Sequence, residues 1–193
     1  MGMTWYELLL YIHIMATVIW VGAGFLMIVL GTRADRAGDD PGIERILSDN
    51  EWLATRLFIP SSLVVVLAGV LLVIDGPWAF DQLWIVLGLI GYAATFGTGM
   101  FMLKPKGDRI AAQMERDGGM TPRTLAETRR LLTLARVDYV TLLLVIAVMA
   151  IKPTGDDVAV LLAMGAILAG GWAWAFARAR AIELPEHVPA PAG

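Results

Sequence analysis

The sequence predicts an all-α fold: a polytopic membrane helix bundle of about five transmembrane helices, a four-helix core plus one C-terminal helix. Three observations predict it. The 193 residues are 58% hydrophobic and only 17% charged, whereas a soluble domain is nearer half apolar and a quarter charged. The apolar excess is gathered into runs long enough to cross a bilayer, which takes roughly 20 residues of helix. The basic residues fall almost entirely between alternate runs.

The first run is uncharged from Leu8 to Thr32 and is read as a helix over Trp5–Leu30. No basic segment precedes it and it is too long for a leader's apolar core, so it reads as a spanning helix. The second, Leu57–Ile74, is interrupted by Pro60, whose neighbours Ser61 and Ser62 are expected to satisfy the backbone groups that the proline frees. The third is Gln82–Leu103 and the fifth Val158–Ala177. The fourth differs. Only Tyr139–Ile151 is uncharged, and 13 residues at ~1.5 Å each cover roughly 20 Å of an ~30 Å core. To span, it must begin near Leu131, which draws Arg136 and Asp138 below the membrane surface.

Orientation follows from Lys and Arg. Fourteen of the 15 lie in the first and third connections, the adjoining helix ends and the tail; Lys152 alone lies opposite. The reading is a multi-pass protein of the bacterial plasma (inner) membrane, N-terminus outside and C-terminus cytoplasmic. Trp5, Trp78 and Trp84 fall near the outer interface, and Trp52, Trp172 and Trp174 near the inner one. Asp40-Pro41 reads as the cap and first residue of a short helix leading into helix 2. Lys106–Asp117 extends helix 3 until Gly118-Gly119 stops it, and Thr121-Pro122 starts the next helix. The chain divides into a core over 1–153, an added helix over 154–181 and a disordered Pro-rich tail over 182–193.

Several function classes are excluded. Without cysteine there is no thiolate catalysis or Cys-ligated cluster. A net charge of −3 gives no footing for nucleic acid. No phosphate loop, HExxH or Ser/His/Asp set occurs, so enzymatic activity is not indicated. Met100 and Met102 are two apart and point different ways, a poor copper pair. Met1 and Met3 are weak copper ligands for a different reason, one of them being the start residue. Glycines on helices 3 and 5 are read as marks of close packing.

Two features carry chemistry. His13 lies roughly 7 Å from the midplane of helix 1 by helical rise, and helical spacing puts Tyr6, His13, Thr17, Trp20 and Gly24 on one inward face. An imidazole in hydrocarbon needs a partner. It is read either as an axial ligand of haem iron or part of a proton path, or as a packing histidine bonded to a hydroxyl or carbonyl. The second feature is Arg56, Arg136 and Asp138. Arg136 and Asp138, two apart, do not face each other, so Arg56 is the expected partner of Asp138 in a buried ion pair. A free guanidinium there would clamp a carboxylate or propionate.

Helix 1 reads YIHIMATVIWVGAGFL, a His seven residues before a Trp and then Val-Gly. Helix 4 reads ARVDYVTLLLVIAVMAIKP, with Arg near one end and Lys-Pro past the other. Together these resemble a family of bacterial predicted integral membrane proteins. That family is similar in turn to the membrane domain of the copper-resistance D (CopD) proteins and to HemJ-type protoporphyrinogen oxidases. The likeness covers Trp5–Pro153. It implies a four-helix core holding haem b through His13, with Trp20 beside it and Arg136 or Arg56 on the propionates. Where HemJ-type chains carry His-Gly on helix 3, this sequence has Phe96-Gly97, and Asp138 stands where they have Asn. A haem held here would then be five-coordinate, or completed by a methionine or water. The rival readings are a transport-related or copper-handling protein, and a non-catalytic scaffold. The bilayer is the partner implied by all three, with a membrane-protein partner or a homo-oligomer implied by the last.

Overall fold

The computed structural model of the chain describes residues 2–186. Among them are five helices long and apolar enough to cross a membrane: α1 (Trp5–Ala37), α2 (Asp40–Asp75), α3 (Leu83–Asp117), α4 (Pro122–Ile151) and α5 (Val158–Ala181). The described residues contain no strand.

Several helix ends have a local cause. The Thr4 hydroxyl accepts from the Glu7 N–H at 3.2 Å, and the Glu7 carboxylate accepts from the Thr4 N–H at 2.7 Å, a reciprocal cap for two orphan donors of α1. The helix runs seven residues beyond Leu30, the predicted end, and stops at Gly38 in the left-handed region, φ 64°. Nothing obliges a helix to end where hydrocarbon does, and the charged extension through Arg33, Asp35 and Arg36 proves decisive below. The next helix is capped one residue earlier than predicted: the Asp39 carboxylate accepts from the Gly42 N–H at 3.0 Å. α3 stops as predicted at Gly118, φ 74°. Thr121 caps α4 reciprocally with Thr124. Lys152 ends α4 at φ 52°, the one non-glycine with positive φ among the described residues.

α2 and α3 share a device. Each carries a π-helical turn just before a proline: Ala54–Phe58 before Pro60, and Thr98–Leu103 before Pro105. A proline offers no N–H to the ladder, and the five-residue bond from Ile59 to the Ala54 carbonyl, like that from Lys104 to Gly99, shifts the register to accommodate the gap. Of the two serines expected to help, Ser62 donates to the Ile59 carbonyl at 2.9 Å.

α4 is the hub, packing against α1, α3 and α5, while α1 lies along α2. Tyr6, Trp78 and Lys152 meet at one end of the bundle. At the other, the basic end, Arg129 reaches Asp35, and the Arg130 guanidinium donates to the Ile182 carbonyl. The extensions of α2 and α3 pack there through Leu47, Ile110 and Met114, so the long connection is the expected helical hairpin. The glycine reading holds for α3, where Val145 fills the space a Cβ at Gly91 would take. It fails for much of α5, since Gly165 and Gly170 face open space. Ile182–Glu186 is non-helical, and the rest of the proposed tail, 187–193 with His187, lies outside the described residues.

Candidate functional site

α1 presents its polar face inward, as its periodicity predicts. Tyr6, His13, Thr17 and Trp20 line one cavity of about 570 Å³, walled by α1, α2, α3 and α4. Trp20 and Gly24 line a second, of about 250 Å³, nearer the basic end.

His13 is held across to α2. Its Nδ1 lies 2.8 Å from the Val65 carbonyl, and because a carbonyl only accepts, Nδ1 carries the proton. Gly69, one turn on, leaves room for the ring: a Cβ there would come within 3.2 Å of His13 Cε1. The Thr17 hydroxyl donates to the His13 carbonyl at 2.8 Å and leaves the ring alone. Nε2, the basic nitrogen, has no hydrogen-bond partner among the described residues. The arrangement joins features of both sequence readings. The carbonyl bond is the packing histidine's. The free Nε2 on a cavity is the ligand's, because a metal-bound imidazole commonly donates its other N–H to a carbonyl.

The cavity mouth is aromatic and cationic. The Trp78 indole N–H donates to the Tyr6 hydroxyl at 3.2 Å. Trp78 and Trp84 pack edge to face with centroids 5.2 Å apart. Lys152 Nζ sits 3.9 Å from the Trp78 centroid and 5.1 Å from that of Trp84. The ammonium lines the cavity, held by ring quadrupoles rather than a carboxylate. Met149 supplies the cavity's one thioether, opposite Gly88, which leaves room for its methyl group.

The expected ion pair is not made: Asp138 pairs with neither Arg56 nor Arg136. Arg136 turns to α1, where its Nε donates to the Thr32 hydroxyl at 3.2 Å and its Nη2 lies 3.8 Å from Asp35. Arg129 holds the same carboxylate at 2.7 Å. The reason is rotation: two helical residues point roughly 200° apart, so Arg136 faces α1 while Asp138 faces α3. Arg56 lies exposed in the π turn of α2. Asp138 is left beside Thr98, whose hydroxyl donates to the Ala94 carbonyl at 2.8 Å, and with Oδ1 buried and unpartnered. Neither Arg56 nor Arg136 lines either of these two cavities, and Lys152 is the cation that shares the larger one with His13. Phe96 lies on the second cavity and stacks on Tyr92, which reaches the first.

A family model described as a predicted integral membrane protein, DUF2269, matches residues 7–153. The chain belongs to this family. The match runs from the first turn of α1 through the Lys152-Pro153 corner, and so takes in both cavities except for Tyr6. α5 lies outside the DUF2269 span and contributes to neither cavity. No curated protein and no solved structure matches the chain.

Among the described residues no group of three His, Cys, Asp or Glu side chains could hold a metal ion. Met100 and Met102 diverge as expected, Met100 to the second cavity and Met102 to the cluster between α4 and α5. Sequence reasoning missed Val65, Gly69, Asp35, Lys152 and Met149 as site residues. Gly69 carried a legible signal, a lone glycine inside an apolar helix, which marks a close approach. Val65 acts through its backbone and carried none.

Proposed function

We propose that this integral membrane protein binds haem b in the larger cavity, with His13 Nε2 as axial ligand. The single observation that carries the reading is the state of that imidazole. Its proton is committed to the Val65 carbonyl at 2.8 Å, its other nitrogen has no hydrogen-bond partner among the described residues, and the ring lines a cavity of about 570 Å³. That volume lies within the roughly 300–1,000 Å³ of organic-cofactor pockets. The lining fits the group: aromatic and aliphatic walls would hold a macrocycle, the Met149 thioether would offer a soft donor beside His13, and the Lys152 ammonium would hold a carboxylate.

Bound haem would supply reversible one-electron chemistry at iron, tuned by ligand and burial. The chain's own part is to bind and orient. Val65 fixes the tautomer and ring plane of His13, Gly69 keeps space beside it, and the Trp78–Lys152 contact covers the mouth. Lys152 takes the role that the sequence assigned to Arg136 and Arg56, with Trp20 retained as a wall. This agrees with a HemJ-like core in a bacterial inner-membrane family, N-terminus outside and C-terminus cytoplasmic. A copper site finds no cage of side chains. A scaffold that only contacts another membrane protein or a second copy of the chain needs neither the free nitrogen nor the cavity.

Haem titration of the purified protein tests the reading. Wild type should bind stoichiometrically, His13→Ala should lose the site, and Met149→Leu should keep binding with an altered spectrum. Equal binding by wild type and His13→Ala would overturn it.

A further inference from the structure

The second cavity has a chemistry of its own. It lies between α1, α2, α3 and α4, with both π turns on its border, and π turns inside α-helices are frequent at functional sites. Its walls are Trp20, Phe58, Phe96 and Tyr139, with the pliable side chains of Met27 and Met100. Into these walls α4 sets one carboxyl group, Asp138, whose Oδ1 is buried without a partner.

That orphan contrasts with two carboxylates that the bundle does pair. Asp35 has Arg129 at 2.7 Å, and Asp108 has Lys104 at 2.7 Å. Arg136, two residues from Asp138, is spent on Asp35 instead. A carboxyl group inside a membrane protein without an internal cation is costly and by default marks a functional site. We infer that the cavity is a binding site for an amphiphilic organic ammonium, its charged nitrogen on Asp138 and its apolar body against Trp20, Phe96 and Tyr139.

Each part of that class follows from a residue. The charge is positive because Asp138 is the one carboxyl group that lines the cavity, and the one ammonium that lines it, Lys104, is paired with Asp108 at 2.7 Å. A metal ion is not the occupant, since hard cations want six or more oxygens. Ser62 and Thr95 already direct their hydroxyls to the Ile59 and Tyr92 carbonyls. A single unpartnered oxygen suits the point-like donors of an ammonium better than the two-pronged fork of a guanidinium. The aromatic walls favour a cation with an apolar or aromatic body, through ring faces and burial. Trp20 and Leu142 line both cavities, so an occupant here would lie against the wall of the His13 site.

The test uses the full chain in lipid nanodiscs with 1-naphthylmethylammonium as a fluorescent probe and 1-naphthylmethanol as its neutral counterpart. Wild type should bind the ammonium saturably above empty nanodiscs. Asp138→Asn should weaken that by about tenfold or more, the worth of a charge-assisted bond, and leave the alcohol unaffected. Gly99→Leu keeps the carboxyl group and fills the cavity from a position where an added Cβ meets nothing within 4 Å. It should weaken both ligands, and it carries the test should Asp138→Asn fail to assemble. Equal ammonium affinity in wild type and Asp138→Asn, retained affinity in Gly99→Leu, or no saturable binding would overturn the inference.

Discussion

Asp138 shows what one unpaired residue does to a membrane bundle. Two neighbouring arginines suggest an ion pair, and breaking such a pair is costly because the survivor becomes an uncompensated buried charge. With Arg136 committed to Asp35 and Thr32, the sign reverses. Asp138→Asn keeps the shape and removes an acid that has no cation, so the ligand-free protein should be at least as stable as wild type, whereas breaking a buried ion pair would cost about 3–5 kcal/mol. Thermal unfolding in detergent measures it, and a lower midpoint would restore the ion-pair reading. The error behind that reading was positional. A helix 1 that ends at Leu30 leaves Asp35 outside it, and only the charged extension of α1 to Ala37 brings Asp35 to Arg136. His13 was more legible, since a 3.6-residue period places its face without knowledge of the neighbours. Its partner Val65 was not legible, because any residue has a carbonyl.

At the scale of elements, the apolar runs fixed where helices lie, and the caps fixed where they end. Thr121-Pro122 and Gly118 were readable because capping and positive φ demand particular residues. The two π turns were not, although each sits before a proline, because the sequence shows the lost donor and not how the backbone absorbs it. The turn joining α4 to α5 offers a direct pH test. Asp157 accepts from the Thr154 N–H at 2.8 Å and hydroxyl at 2.9 Å, and these bonds hold its carboxyl below the ordinary value of 3.8. A lowered folded-state value means that the stabilisation is present above the ordinary pKa and is lost as pH falls through the folded one. Thr154→Val removes one bond and should move the Asp157 titration up toward the ordinary value in a carboxyl NMR experiment. An unchanged titration would show that the bonds do not favour the charged form.

The molecule as a whole is a bundle with two cavities between its ends, one lined by His13 and Lys152 and the other by Asp138. Composition and run length made the bundle legible, because a bilayer imposes one element type and one length on any spanning segment. The cavities were not legible, since volume arises where side chains of four helices fail to meet. The fourteen basic residues on one side predict the topology. A reporter fused after Gly193 should behave as cytoplasmic and one inserted at Gly76 as external; the opposite pattern would invert the bundle and put the His13 cavity on the cytoplasmic side. The central claim is that the free nitrogen of His13 holds a haem, and the visible absorption spectrum of the purified protein tests it most directly. The account predicts a Soret band in the wild type that is absent from His13→Ala under the same haem supply. A wild type with no Soret band when haem is plentiful, or a band that survives His13→Ala, would contradict it.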